Sequence, residues 1–196
     1  MPNHVYNTIS VEEEYADKLK EIAKVGLAQY YKPRPKDIEG TTAPSDIGSN
    51  ITQEDYDRLV SKYGCADWYT WSIREWGTKW GCYDNEFDGC TYTFTTAWNT
   101  VDDGIIDMLL HDIPSFIFSW QEEQGFGCEV VYRDRVELDS FDWDLPNWEY
   151  TEDDDIYFLP NEYTNNEGTF RAGYYAYMSL EEYLGDTYEE SLKIMK

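Results

Sequence analysis

The stretch "CTYTFTTAW" (residues 90–98) decides the fold. It sets Tyr92, Phe94, Thr96 and Trp98 on one side of an extended chain and threonines on the other, the period of two expected of a strand with one buried face. Just before it, Asp88-Gly89 is a tight-turn signal, so the weaker stretch "CYDNEFDG" becomes its hairpin partner. Just after it, Asn99 or Thr100 offers a cap to "VDDGIIDMLLHDI", a helix with Ile105, Ile106, Leu109 and Leu110 on its apolar face and Pro114 as its stop. The middle of the chain therefore reads strand, strand, helix.

Working outward, "NHVYNTISV" (3–11) alternates Val5, Asn7, Ile9 and Val11 against His4, Tyr6, Thr8 and Ser10 and predicts a first strand. A helix follows, because Tyr15, Leu19, Ile22 and Gly26 make one stripe and Glu12 to Glu14 suit the positive end of its dipole. Pro33 and Pro35 end it. Residues 32–50 read as a long loop, of the kind that serves as a mobile excursion or a binding segment. Two helices come next, one capped by Thr52 and stopped by Gly64, the other ending near Trp76 at Gly77. Downstream of Pro114, "SFIFSWQEE" and "CEVVYRDRVEL" form a hairpin around Gly125-Phe126-Gly127.

With the helical insertion at about 32–80 set aside, the order is β-α-β-β-α-β plus one added strand. That order predicts an α+β protein of ferredoxin-like, split βαβ type, an antiparallel sheet with helices on one face. Residues 1–138 form this domain. After Leu138 acids mix with aromatics and helical period is lost, so residues 139–196 read as an acidic, aromatic-rich C-terminal extension packed on the sheet.

Charge narrows the function. Residues 1–79 carry 13 acids and 10 Lys or Arg, whereas residues 80–196 carry 27 acids and only 5 Lys or Arg. An acidic surface of that density repels phosphate backbones and anionic membranes and attracts basic protein surfaces. The 196-residue chain has 41% hydrophobic residues, so its low mean hydropathy reflects added acids and not a missing core. Its four cysteines, Cys65, Cys82, Cys90 and Cys128, follow no zinc spacing, and no apolar run reaches membrane-spanning length. A cytoplasmic protein with reduced thiols is expected.

Four ordered segments, "MPNHVYN", "WSIREWGTKWGCYD", "FTTAWNT" and "EEQGFGCEVVYRD", resemble the YubB-type ferredoxin-like family encoded by bacteriophages and plasmids. The resemblance covers roughly residues 1–135. It implies a ferredoxin-like fold and a mobile-element origin in a bacterial host's cytoplasm. It carries over no activity and no catalytic residue.

Two sets of residues are candidate sites. Asp139, Asp142, Asp144, Glu149, Glu152, Asp153, Asp154 and Asp155 form a carboxylate run without Lys or Arg, interleaved with Trp143 and Trp148 as possible anchors. Such a run can imitate the phosphates of a nucleic acid and occupy the basic site of a nucleic-acid-handling protein, which makes an inhibitor of a host defence complex the leading expectation. The competing reading is a solvated, solubilising face. The second set, Arg74, Trp76, Lys79 and Trp80, would make an aromatic pocket for a nucleotide or another anion, against the plainer reading of a packing cation. His4 and His111 are read as structural, and no nucleotide loop, nucleophile elbow or metal pattern is present in the sequence. No catalytic residue, metal or cofactor is expected.

Overall fold

The computed structural model describes residues 3–123 and 126–143, and beyond these the backbone of four short strands, Glu149–Thr151, Ile156–Phe158, Thr169–Ala172 and Tyr175–Ser179. It is an α+β protein. Strands β1 (His4–Val11), β2 (Tyr83–Asp88), β3 (Thr91–Ala97), β4 (Phe116–Glu122), β5 (Gly127–Arg133) and β6 (Val136–Trp143) form one open sheet in the order β2-β3-β1-β4-β5-β6, with every neighbouring pair antiparallel.

The alternation in β1 places it at the centre. Val5, Asn7 and Ile9 are at most 1% exposed, whereas Tyr6 on the other face is 55% exposed. Each buried residue of β1 sits in a row with its neighbours: Val5 between Thr96 and Glu122, Asn7 between Phe94 and Trp120, Ile9 between Tyr92 and Phe118. Through Ile9, Tyr92, Phe94 and Phe118 the last two rows meet Leu19, Ile22, Leu27, Ile38, Leu59, Trp71, Trp76, Ile105 and Leu109 in one continuous core. Apolar surface on one side of the sheet and on one stripe of each helix is removed from water together, which fixes register as well as topology.

The first helix is divided. Following a 3₁₀ turn at Glu13–Tyr15, α1 (Ala16–Ala23) stops and α2 (Leu27–Tyr31) starts again after Gly26, whose φ is 96°. A Cβ at Gly26 would lie 3.2 Å from the Cys82 Cβ, so the chain turns there against the start of β2. The expected loop contains a short helix, α3 (Lys36–Glu39), that inserts the fully buried Ile38 into the core. Helices α4 (Gln53–Tyr63) and α5 (Trp68–Trp76) follow, capped by Thr52 and Asp67, each ending at a left-handed glycine, Gly64 and Gly77.

Helix α6 (Asp103–Asp112) begins later than expected. Its cap is Asp102, which accepts from the Gly104 N–H at 2.9 Å, because Thr100 and Asn99 are engaged elsewhere: the Thr100 hydroxyl donates to Asn7, and Asn99 Oδ1 accepts from the Thr100 N–H. Sequence reading also merges β5 and β6 into one strand, where the structure has a two-residue turn. Asp134 and Arg135 both have positive φ, 53° and 66°, the type I′ geometry that a right-twisted hairpin prefers, reached here without Asn-Gly. Arg135 then donates to the Leu110 and His111 carbonyls at the end of α6. Strand β6 runs through Leu138, so the sheet continues past the point where composition changes. Among the described residues no helix is long and apolar enough to cross a membrane.

Candidate functional site

Lys79 occupies a corner of the sheet. Gly77 ends α5 with φ 75°, and a Cβ there would come within 2.8 Å of the Asp102 backbone nitrogen, so only glycine lets the chain turn this close to the α6 cap. The next residue anchors the turn. Thr78 donates its hydroxyl to the Ala97 carbonyl at 2.7 Å and accepts from the Ala97 N–H at 3.0 Å, locking the segment onto the end of β3. Lys79 is thereby held with its ammonium 4.5 Å from the centre of the Trp98 ring and 5.1 Å from that of Trp80. Cation–π contacts of this kind are each worth about 0.5–2 kcal/mol.

The aromatic set extends from there. Trp80 meets Tyr83 edge-on at 6.0 Å, Tyr83 meets His4 at the same distance and shares a 2.8 Å hydrogen bond with His4 Nδ1, and Trp98 meets Tyr69 at 6.1 Å. The Tyr83 hydroxyl also reaches the Thr96 carbonyl at 3.2 Å. Burial holds the Tyr83 phenol above its ordinary value, with Asp84 adding to the effect.

The four residues of the expected pocket do not form one site. Lys79 and Trp80 are together at this corner. Trp76 is 3% exposed in the core, where its Nε1–H donates to the Lys32 carbonyl at 2.8 Å and its ring meets Trp71. The cation on Trp76 is Arg34, 4.5 Å from its ring centre and flanked by Trp68 and Trp71, and burial lowers the affinity of that guanidinium for its proton. Arg74 is occupied by Glu75 at 2.8 Å and by the Tyr63 carbonyl. Trp98 takes the place given to Trp76 in sequence reading. Strand periodicity puts Trp98 on the buried face of β3, yet the backbone leaves the strand at this residue with φ 73° and the indole is 46% exposed.

Few of the described carboxylates are paired with a cation. Among the described residues, the Lys and Arg ion pairs use Asp37, Asp55 and Glu75 before residue 80 and Asp112 after it. Hydrogen bonds from Lys62 and Tyr63 hold Asp37 below the usual carboxylate range, and Thr52 and Arg58 do the same for Asp55. By contrast Asp84, Glu86 and Asp88 on β2 and Glu137, Asp139 and Asp142 on β6 are exposed, and none of these six enters an ion pair among the described residues. The two strands are opposite edges of the sheet, five strand spacings or about 24 Å apart. On β6, Asp142 sits beside Cys128 and Glu137 beside Tyr132, while Asp139 lies on the other face beside Val131. Glu149 lies in the short strand Glu149–Thr151, and Trp143 ends β6. Asp144, Trp148, Glu152, Asp153, Asp154 and Asp155 lie outside the described residues.

Compared with known proteins, the chain matches no family model, no curated protein and no solved structure.

Proposed function

We propose that this chain is a non-catalytic binding protein that presents the carboxylates of β6 and of the residues following it to a basic protein surface, as a nucleic acid presents its phosphates. The observation that carries this reading is the placement of Glu137, Asp139 and Asp142 along the edge strand β6, all exposed and none in an ion pair among the described residues, at the start of a run of acids that no Lys or Arg interrupts. Unpaired carboxylates on an edge strand also discourage edge-to-edge association. Blunting an edge needs only a charge or two, however, whereas the acids continue through Asp155 with no Lys or Arg between. Because β2 lies across the sheet, its acids belong to a separate patch and are not part of the proposed surface.

The resemblance to phage and plasmid proteins favours a partner in a bacterial cytoplasm, with a nucleic-acid-handling defence protein as the target class. The strand order β2-β3-β1-β4 supports reading the core as ferredoxin-like: β3 lies between β1 and β2, and α6 joins β3 to β4. Residues 32–80 are then an insertion into the first crossover, and β5 and β6 extend the sheet toward the acidic part.

The test is capture of partners from bacterial lysate across a salt series, with the full chain and with a variant carrying Asp139→Asn, Asp142→Asn and Asn at 153–155. The reading expects a protein retained at low salt, released as salt screens the contact, displaced by nucleic acid and absent with the variant. A partner that ignores salt, or one that the variant retains equally, overturns it.

A further inference from the structure

We infer that the corner built by Lys79, Trp80 and Trp98 is a binding site for a small planar anion of the mononucleotide class, its ring stacked on exposed indole and its anionic group at the Lys79 ammonium. This inference rests on different residues from the carboxylate surface and stands or falls apart from it.

The backbone of Trp98 points this way. A bulky residue with φ 73° is a conformational outlier that glycine or asparagine would occupy at lower cost. The surroundings hold it there from both sides: its N–H donates to the Asn3 carbonyl at 2.9 Å, and Ala97 before it is tied twice to Thr78. The result is not a buried ring. Trp98 leaves 46% of its surface in water and Trp80 leaves 38%, whereas Trp71 and Trp76 are at most 5% exposed. A tryptophan needed only for packing gains little from being turned outward at a strained position. A tryptophan that receives a ligand ring gains from both its exposure and its fixed direction.

Lys79 supplies the second half. Lys79, like Lys20, Lys24 and Lys36, enters no ion pair among the described residues, and its ammonium rests on two indole rings. In a chain with 40 acids and 15 Lys or Arg, that leaves a cation open to an incoming anion beside two flat apolar surfaces. Asp84 and Glu123 act on Tyr83, and Glu123 also accepts the His4 backbone N–H at 2.8 Å. Stacking on tryptophan tolerates any base, so the site selects for a ring with an anion attached and not for one base. The formal charge of −25 favours a single nucleotide over a polynucleotide, because each added phosphate meets the repulsion of the whole protein.

The full chain is titrated with AMP, adenosine or inorganic phosphate while the eight tryptophan indole N–H signals are followed by NMR, with Trp80→Phe and Trp98→Phe assigning two of them. AMP is expected to move the Trp80 and Trp98 signals and leave those of Trp71 and Trp76 in place. Lys79→Gln, a surface change whose fold is checked in the same spectra, is expected to weaken AMP about tenfold and leave adenosine unchanged, the loss typical of one charge-assisted contact. No movement of the two signals at millimolar AMP, equal AMP affinity in Lys79→Gln, or inorganic phosphate acting as well as AMP each overturns the proposal.

Discussion

Thr100 donates its hydroxyl to Asn7 Oδ1 at 2.6 Å, joining the loop before α6 to the middle of the central strand. Asn7 is 1% exposed, and its amide nitrogen is within hydrogen-bond distance of the Val5 carbonyl at 2.9 Å, the Thr96 hydroxyl at 3.0 Å and the Phe94 carbonyl at 3.3 Å. Removing a group that satisfies several buried partners costs more than the bonds themselves, because the partners stay dry and unmet. Asn7→Ala is expected to lower stability by about 2–3 kcal/mol in urea unfolding. Asn7→Asp is expected to cost more at pH 7, where a carboxylate would face the Val5 and Phe94 carbonyls. Its folded-state pKa would be raised, so the deficit shrinks as pH falls toward about 4, the carboxyl's unfolded value.

The pairing of Lys18 with Asp112 sets an acid limit on stability. Lys18 Nζ lies 2.9 Å from Asp112 Oδ2, and the Tyr31 hydroxyl donates to the same oxygen at 3.1 Å. The Lys18 hydrogen bond is the main reason the Asp112 carboxyl is held below its ordinary range, with Tyr31 assisting. A depressed folded-state pKa contributes stability above the unfolded value of about 3.9 and loses it as pH falls through the folded value. Asp112→Asn should therefore cost about 1 kcal/mol at pH 7, and in denaturant melts the gap should close as pH falls below the unfolded value of about 3.9 and through the lower folded value.

The four thiols should react in two classes. Cys65, Cys82 and Cys128 are at most 8% exposed, and burial raises the pKa of each, to about 12 for Cys82 and Cys128. A thiol at pKa 12 is thiolate in only about one molecule in ten thousand at pH 8, and the thiolate is the reacting form. Cys90 is partly exposed at the β2–β3 turn. A disulfide reagent at pH 8 is expected to titrate one thiol in the native protein and four after denaturation. Fast reaction of a second native thiol would contradict the packing around Cys82 and Cys128.

What could be read from the residues alone follows how local each signal is. The alternation in β1 and in the first half of β3, the Thr52 cap and the Gly64 and Gly77 stops depend on adjacent positions, and the structure has them where the sequence puts them. The break at Gly26, the α6 cap and the Asp134-Arg135 turn depend on distant partners, namely Cys82, Asn7 and the end of α6, which no neighbouring residue announces. The same division holds at the corner site. Lys79 between two tryptophans is visible in five residues, but one of its two rings is Trp98, nineteen positions on, placed by the Thr78–Ala97 bonds. The signal that could have found it was the position of Trp98 just past the end of a strand, where alternation no longer governs direction.

Trp98 separates strain from packing in a way that stability can measure. Trp98→Ala and Trp98→Gly both remove the indole, with its contacts to Tyr69 and Lys79, so they lose the same burial. They differ at the backbone: alanine keeps a Cβ at φ 73°, whereas glycine adopts that conformation freely. In a helix or strand the same comparison favours alanine, because glycine's unfolded state has more freedom to lose. Here the left-handed penalty on alanine, about 1–2 kcal/mol, outweighs that entropy of about 0.5–1 kcal/mol. Trp98→Gly is therefore expected to unfold at a higher denaturant concentration than Trp98→Ala, by about 0.5–1 kcal/mol. If alanine is the more stable of the two, the residue is not held in the left-handed region in solution, and the strain that directs Trp98 outward is absent.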